Sequence, residues 1–137
     1  MGYVSLCLWR EARGEGDDGI RGVMHVIRRR ATTWDKYKGR TEPYHAAIYD
    51  HGQFTSMSDP GDSQYHLFPA ESDLVYILCQ KIAQDVIAGR DQDNTGGALY
   101  YANLDNITPG GWFDKYILRH PETHPPTVAI GRHTFFA

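Results

Sequence analysis

The sequence predicts an α-rich α+β fold: one domain over residues 1–137, built as a helical body with a small antiparallel β-sheet. Three observations lead there. Two amphipathic helices follow one another at the start, the clearest helical period falls at residues 71–88, and β-like runs occur only in the last third. With 137 residues and 41% hydrophobic content, the chain has the size of one domain and enough apolar side chains for a core.

The first helix has an apolar stripe at Val4, Cys7 and Leu8, with Trp9 and Arg10 turned away and Gly14 placed to close it. Asp17 or Asp18 can cap a second helix whose core face is Ile20, Val23, Met24 and Ile27. Arg28, Arg29 and Arg30 then stand at that helix's expected end, where cations complement the dipole. Residues 32–39 are polar and aromatic, and Pro43 can open a brief helix through Ile48. Residues 50–62, rich in Gly, Ser, Asp and Pro, read as a loop. The helix over 71–88 carries Leu74, Leu78, Ile82 and Val86 at four-residue spacing, with Ser72 as cap and Gly89 as stop, and is expected to be the central core helix. Residues 98–102, 127–130 and 134–136 read as short strands, and residues 109–119 as a further helix.

A net charge of −3 argues against a nucleic-acid binder driven by phosphate contacts. No apolar run approaches the roughly 20 residues of a membrane span, so no stable membrane insertion is expected, and no signal-peptide pattern opens the chain. Cys7 and Cys79 lie within apolar helical patterns and read as buried free thiols. His120 and His124 are flanked by Pro121, Pro125 and Pro126, which deny them the helix that a zinc pair needs, so no metal and no cofactor is expected. Asp91 to Gly96 imitates the start of a calcium loop, but Ala102 stands where the bidentate Glu belongs, which leaves a turn held by Asx hydrogen bonds.

Glu11 falls on the stripe of Val4, Cys7 and Leu8, where an apolar side chain is expected. Desolvation there raises a carboxyl pKa, the condition for a general acid near neutral pH; an ordinary surface Glu paired with Arg13 or Arg28 is the competing reading. Three clusters, residues 52–56, 96–103 and 130–136, join glycines to amide, hydroxyl and aromatic groups able to hold a saccharide. From them Gln53, Tyr101 and Asn103 are candidates to hold the polar groups of such a ligand, while Phe54 and Tyr100, with Trp112 from outside the clusters, are candidates to line a groove. His133 stands either as a hydrogen-bonding group near the acid or as a structural bridge on the last strand, and Glu15 reads as a helix-capping group.

Taken in order, Glu11-Ala12-Arg13-Gly14-Glu15, Gly52-Gln53-Phe54, Thr95 to Tyr101 with Asn103, and Ile130 to Phe136 resemble the catalytic domain of SleB-type cell-wall hydrolases, the family of the spore-cortex-lytic enzyme. The resemblance spans nearly the whole chain and implies a lysozyme-like fold related to lytic transglycosylases, with Glu11 as catalytic acid acting on peptidoglycan glycan strands. A single acid suits lytic transglycosylation between N-acetylmuramic acid and N-acetylglucosamine, because one carboxylate can act as acid and then as base. Hydrolysis of the same bond, which normally requires a second carboxylate, and a non-catalytic wall-binding or phage structural module are the alternatives. The leaderless, compact chain looks like a monomeric phage or prophage muralytic protein, made in a host cytoplasm and delivered to the wall through a holin pore or on a virion.

Overall fold

The computed structural model describes residues 2–137. Five α-helices come first: α1 (Gly2–Ala12), α2 (Gly16–Thr33), α3 (Pro43–Tyr49), α4 (Thr55–Ser58) and α5 (Leu74–Ile87). Three strands follow, β1 (Tyr100–Ala102), β2 (Pro126–Ile130) and β3 (His133–Phe136). They form an antiparallel sheet in the order β1-β3-β2, with Tyr101 opposite Phe135 and Ile130 opposite His133. The α-rich α+β architecture is therefore as expected.

The central helix is α1 rather than α5. It packs against α2, α3, α4 and α5, and Trp9, Arg10 and Ala12 are buried along with the expected stripe of Val4, Cys7 and Leu8. A helical wheel marks the strongest apolar face but does not see a loop that closes over the other side. Arg10 explains that closure. Its guanidinium donates to the Ser56 carbonyl at 2.8 Å and the Leu67 carbonyl at 3.0 Å and lies over the Phe68 ring, so it clamps residues 56–68 onto α1. In α5 the expected line of apolar residues holds at Ile82 and Val86, but Leu74, in the first turn, is 81% exposed. Its cap is Asp73, whose carboxylate accepts from the Tyr76 N–H at 3.0 Å, in place of Ser72.

Two further elements differ from expectation. Within residues 50–62 the chain makes the single turn α4, and within 109–119 it makes a short π-helical turn over Asp114–Leu118. The α1–α2 connection turns left-handed at Gly16 (φ 75°), one of the few residue types that adopts this conformation readily, rather than at Gly14. The Asp91–Gly97 turn is held as expected, with Asp93 accepting from the Thr95 N–H and hydroxyl and from the Gly97 N–H. Cys7 and Cys79 are buried free thiols, and burial pushes Cys79 up to about 12. No helix of the described residues is long and apolar enough to cross a membrane.

The sheet docks on α2 through a second core of Val26, Ala98 and Phe135, and Gly22 makes that close approach possible. A Cβ at position 22 would stand 2.7 Å from Cζ of Phe135, which is fully buried and cannot swing aside. Gly22→Ala should therefore destabilise the fold by about 1–2 kcal/mol, despite the better helix propensity of Ala. Thermal unfolding monitored by circular dichroism should show a midpoint lower by about 3–6 °C.

Candidate active site

The site lies where the helical body meets the sheet. Glu11, on the last turn of α1, projects toward Tyr101 on β1, and the Tyr101 hydroxyl donates to Glu11 Oε1 at 2.6 Å. Burial pushes the Glu11 carboxyl above its ordinary value, and the negative charge of Asp62 acts the same way. The Tyr101 and Ser56 hydroxyls and the Arg30 guanidinium act against that rise. Ser56 Oγ is buried beside the carboxyl without an aligned hydrogen bond. The Tyr101 phenol is itself held well above its usual range, first by burial and then by the adjacent Glu11, so it remains a donor throughout the neutral range.

A cleft of about 560 Å³ opens in front of Glu11, lined by Arg30, Gln53, Tyr100, Tyr101, Trp112 and Phe113, with His51 and Gly52 at its edge. Glu11 is the one carboxylate among these lining residues. Gln53 accepts from Arg30 Nη1 at 3.1 Å through its Oε1, which leaves its amide N–H groups for a ligand. Tyr100 lies 5.9 Å from Trp34 and 6.2 Å from Trp112, ring to ring, and Trp112 is 59% exposed. These rings form an apolar wall of the kind that stacks on sugar faces.

Phe54 does not line this cleft. It is 2% exposed and belongs to the main core, where the Arg30 guanidinium covers its ring at 5.4 Å. In a Gly-Gln-Phe run, adjacent side chains diverge, so the polar Gln53 takes the cleft and the apolar Phe54 takes the interior.

Asn103 and His133 sit on the other side of Glu11, in a second, polar recess. Asn103 Oδ1 accepts from the Asp105 N–H and starts the turn over Leu104–Asn106, so its carbonyl has a structural task while its amide nitrogen remains available. The His133 ring lies 5.0 Å from Tyr101, centroid to centroid, and its Nε2 is 3.7 Å from Glu15 Oε1. Burial lowers the His133 pKa, and Arg132 adds to that effect while Glu15 opposes it. Glu15 gives α2 no side-chain cap. Its Oε2 instead receives Arg132 Nε and Nη2 at 2.9 and 2.8 Å. Burial would raise the Glu15 pKa, but the Arg132 hydrogen bonds and the nearby cations outweigh it and hold the carboxyl below its ordinary value.

Arg30 is the group that the sequence reading missed. The basic run stands near a helix end as expected, with Arg30 in the last turn of α2, but Arg30 is only 7% exposed and turns inward instead of to solvent. Its Nε donates to the Leu99 carbonyl at 2.7 Å, tying α2 to the chain entering β1. The signal was present, since Arg30 stands three residues after Ile27 on the same buried stripe, the criterion that selected Glu11.

Residues 14–136 match the Cell Wall Hydrolase family. The catalytic domain of the germination-specific lytic transglycosylase SleB from Bacillus anthracis is similar in structure, with a TM-score of 0.68 and 28% identity over 99% of this chain and 92% of that one. The catalytic domain of the Bacillus cereus SleB protein gives the same TM-score, 0.68, and 28% identity over 99% of this chain and 88% of that one. No curated protein sequence matches the chain significantly. The resemblance in the motifs therefore extends to the fold as a whole, and the chain belongs to the cell wall hydrolase family.

Proposed function

We propose that the protein cleaves peptidoglycan glycan strands at the β-1,4 bond between N-acetylmuramic acid and N-acetylglucosamine by lytic transglycosylation. The observation that carries this reading is the solitary carboxylate. Glu11 is half-dry, anchored by Tyr101 and the one acid lining the aromatic cleft, while Glu15 is locked to Arg132 and nearby Asp62, outside that lining, is held by the Thr55 hydroxyl and the Gln64 N–H. A hydrolase of the usual kinds needs a second carboxylate as nucleophile or as base for water.

In the proposed mechanism, protonated Glu11 donates to the glycosidic oxygen, and the bond to muramic C1 breaks to leave an oxocarbenium-like sugar. The Glu11 carboxylate, steadied by the Tyr101 O–H and by Arg30, then takes the proton of the muramic 6-hydroxyl as O6 attacks C1. The product is a 1,6-anhydro ring, no water is consumed, and Glu11 returns to its starting protonation state. Gln53, Tyr100 and Trp112 hold the sugar rings in the cleft. His133 supports the Tyr101 ring, and Asn103 can donate to substrate groups on the far side.

Mass spectrometry of digested, purified peptidoglycan tests this reading. Fragments ending in anhydromuramic acid, lighter by one water than reducing ends, are expected. Reducing ends alone would establish hydrolysis, and binding without cleavage would establish a wall-binding module. Trp112→Ala should raise KM about three- to tenfold and leave kcat nearly unchanged, because an exposed stacking ring contributes to binding sugar but not to proton transfer. Turnover measured against substrate concentration checks that split.

A further inference from the structure

Glu11 is the one residue that lines both hollows, the aromatic cleft and the polar recess of about 410 Å³ behind it. A glycan strand crossing the acid therefore has one part in each. Their chemistry differs sharply. The cleft offers Tyr100, Tyr101, Trp112 and Phe113, whereas the recess lining contains no Trp, Tyr or Phe among the described residues. The recess offers the guanidinium groups of Arg13 and Arg132 with the amides of Gln64, Asn103 and Asn106, and its own carboxylate Glu15 is already paired with Arg132. It is unsuited to stacking a sugar face and suited to binding carboxylate and amide groups.

Two details favour an outside partner. Gln64 Oε1 and His133 Nδ1 are buried without a hydrogen-bond partner, a condition that favours a ligand able to satisfy them. Arg132, though committed through two nitrogens to Glu15, keeps 68% of its side chain exposed, and Arg13 uses only Nη1, on carbonyls of its own helix. The clamp of Arg10 on residues 56–68 holds the segment that carries Gln64 against α1.

On a strand of alternating sugars, the substituent that carries peptide bonds and carboxylates is the stem on the lactyl group of muramic acid. We infer that the recess is a binding site for this acidic stem peptide, so that the enzyme selects stem-bearing glycan over bare glycan. The inference rests on the peptidoglycan-cleaving function proposed above. It also sets the direction of the strand, with the stem-bearing muramic acid facing Arg13 and Arg132.

The test compares kcat/KM on solubilised glycan strands that carry their stems with the same strands stripped of stems by an amidase. The wild-type enzyme should prefer stem-bearing strands by about tenfold, the worth of a charge-assisted contact at a partly exposed site, and the preference should shrink with added salt. Arg13→Gln should bring the ratio close to one, and Arg13→Lys should restore part of it. Equal cleavage of both substrates by the wild type, or faster cleavage of stripped strands, would overturn the stem site while leaving the cleavage reaction intact. A preference that persists in Arg13→Gln and Arg132→Gln would overturn the assignment to these groups. Failure to cleave either substrate would remove the underlying reaction and this site with it.

Discussion

Glu11→Gln should abolish glycan cleavage, with a loss of about 1,000-fold or more, because one group supplies both the acid and the base in the proposed cycle. Gln keeps the shape and can still accept from the Tyr101 hydroxyl at Oε1, so the fold should survive. Stability should in fact rise at neutral pH. Burial holds the folded-state pKa of Glu11 above its unfolded value, so the native state binds the proton more tightly. Protein stability therefore falls as pH rises from the unfolded pKa through the folded one, and the penalty of a buried charge persists above that window. Removing the carboxyl removes the penalty. Unfolding of wild type and Glu11→Gln across pH should show the variant ahead at neutral pH, with the advantage disappearing below the unfolded carboxyl pKa. In the wild type, kcat/KM should fall as pH rises through the Glu11 pKa, since the first step needs the protonated acid. Full activity in Glu11→Gln would end the catalytic reading, and a loss of both activity and stability would mark Glu11 as structural.

The contrast between Glu11 and its neighbours shows what a helical period can and cannot reveal. Charged residues on apolar stripes are visible in the sequence, and both Glu11 and Arg30 stand on such stripes in α1 and α2. Arg30 is hard to single out because it closes a run of three arginines at a helix end, where cations usually face solvent, and only the docked sheet and cleft bury it. Trp9 and Arg10 sit on the wheel face opposite the stripe, yet they are buried because a loop from a distant part of the chain folds over them. No local period encodes that. Tyr101 was separable from Tyr100 only as one of two alternating strand positions, and it is the pairing of β1 with β3 that turns it toward α1. Gln53 and Phe54 show the same limit at a turn, where the residue types suggested a saccharide contact and the fold split them between cleft and core. The separation of the hollow around Glu11 into an aromatic and a polar half joins residues far apart in the chain, and it became visible only in three dimensions.

Arg30→Met should destabilise the protein by roughly 2–4 kcal/mol and lower activity by more than the loss of folded protein explains. The guanidinium bridges the Leu99 carbonyl and Gln53 Oε1 and lies between the rings of Trp34, Phe54 and Tyr100. Met can occupy much of the volume but leaves both acceptors without donors in a buried setting. Lys is no substitute, since one ammonium group lacks the planar fork that reaches both acceptors while stacking on rings. The decisive readout is the pH profile. Arg30 acts on the Glu11 carboxyl as a nearby cation that favours the charged form, against the rise due to burial. Without it the Glu11 pKa should climb further, so the alkaline limb of kcat/KM should move to higher pH in Arg30→Met. A purely structural Arg30 would reduce the amplitude of the profile and leave the limb in place. A shifted limb with a lower plateau would instead show that the arginine both braces the cleft and favours the charged carboxylate, the form that must accept the muramic proton in the second half of the cycle.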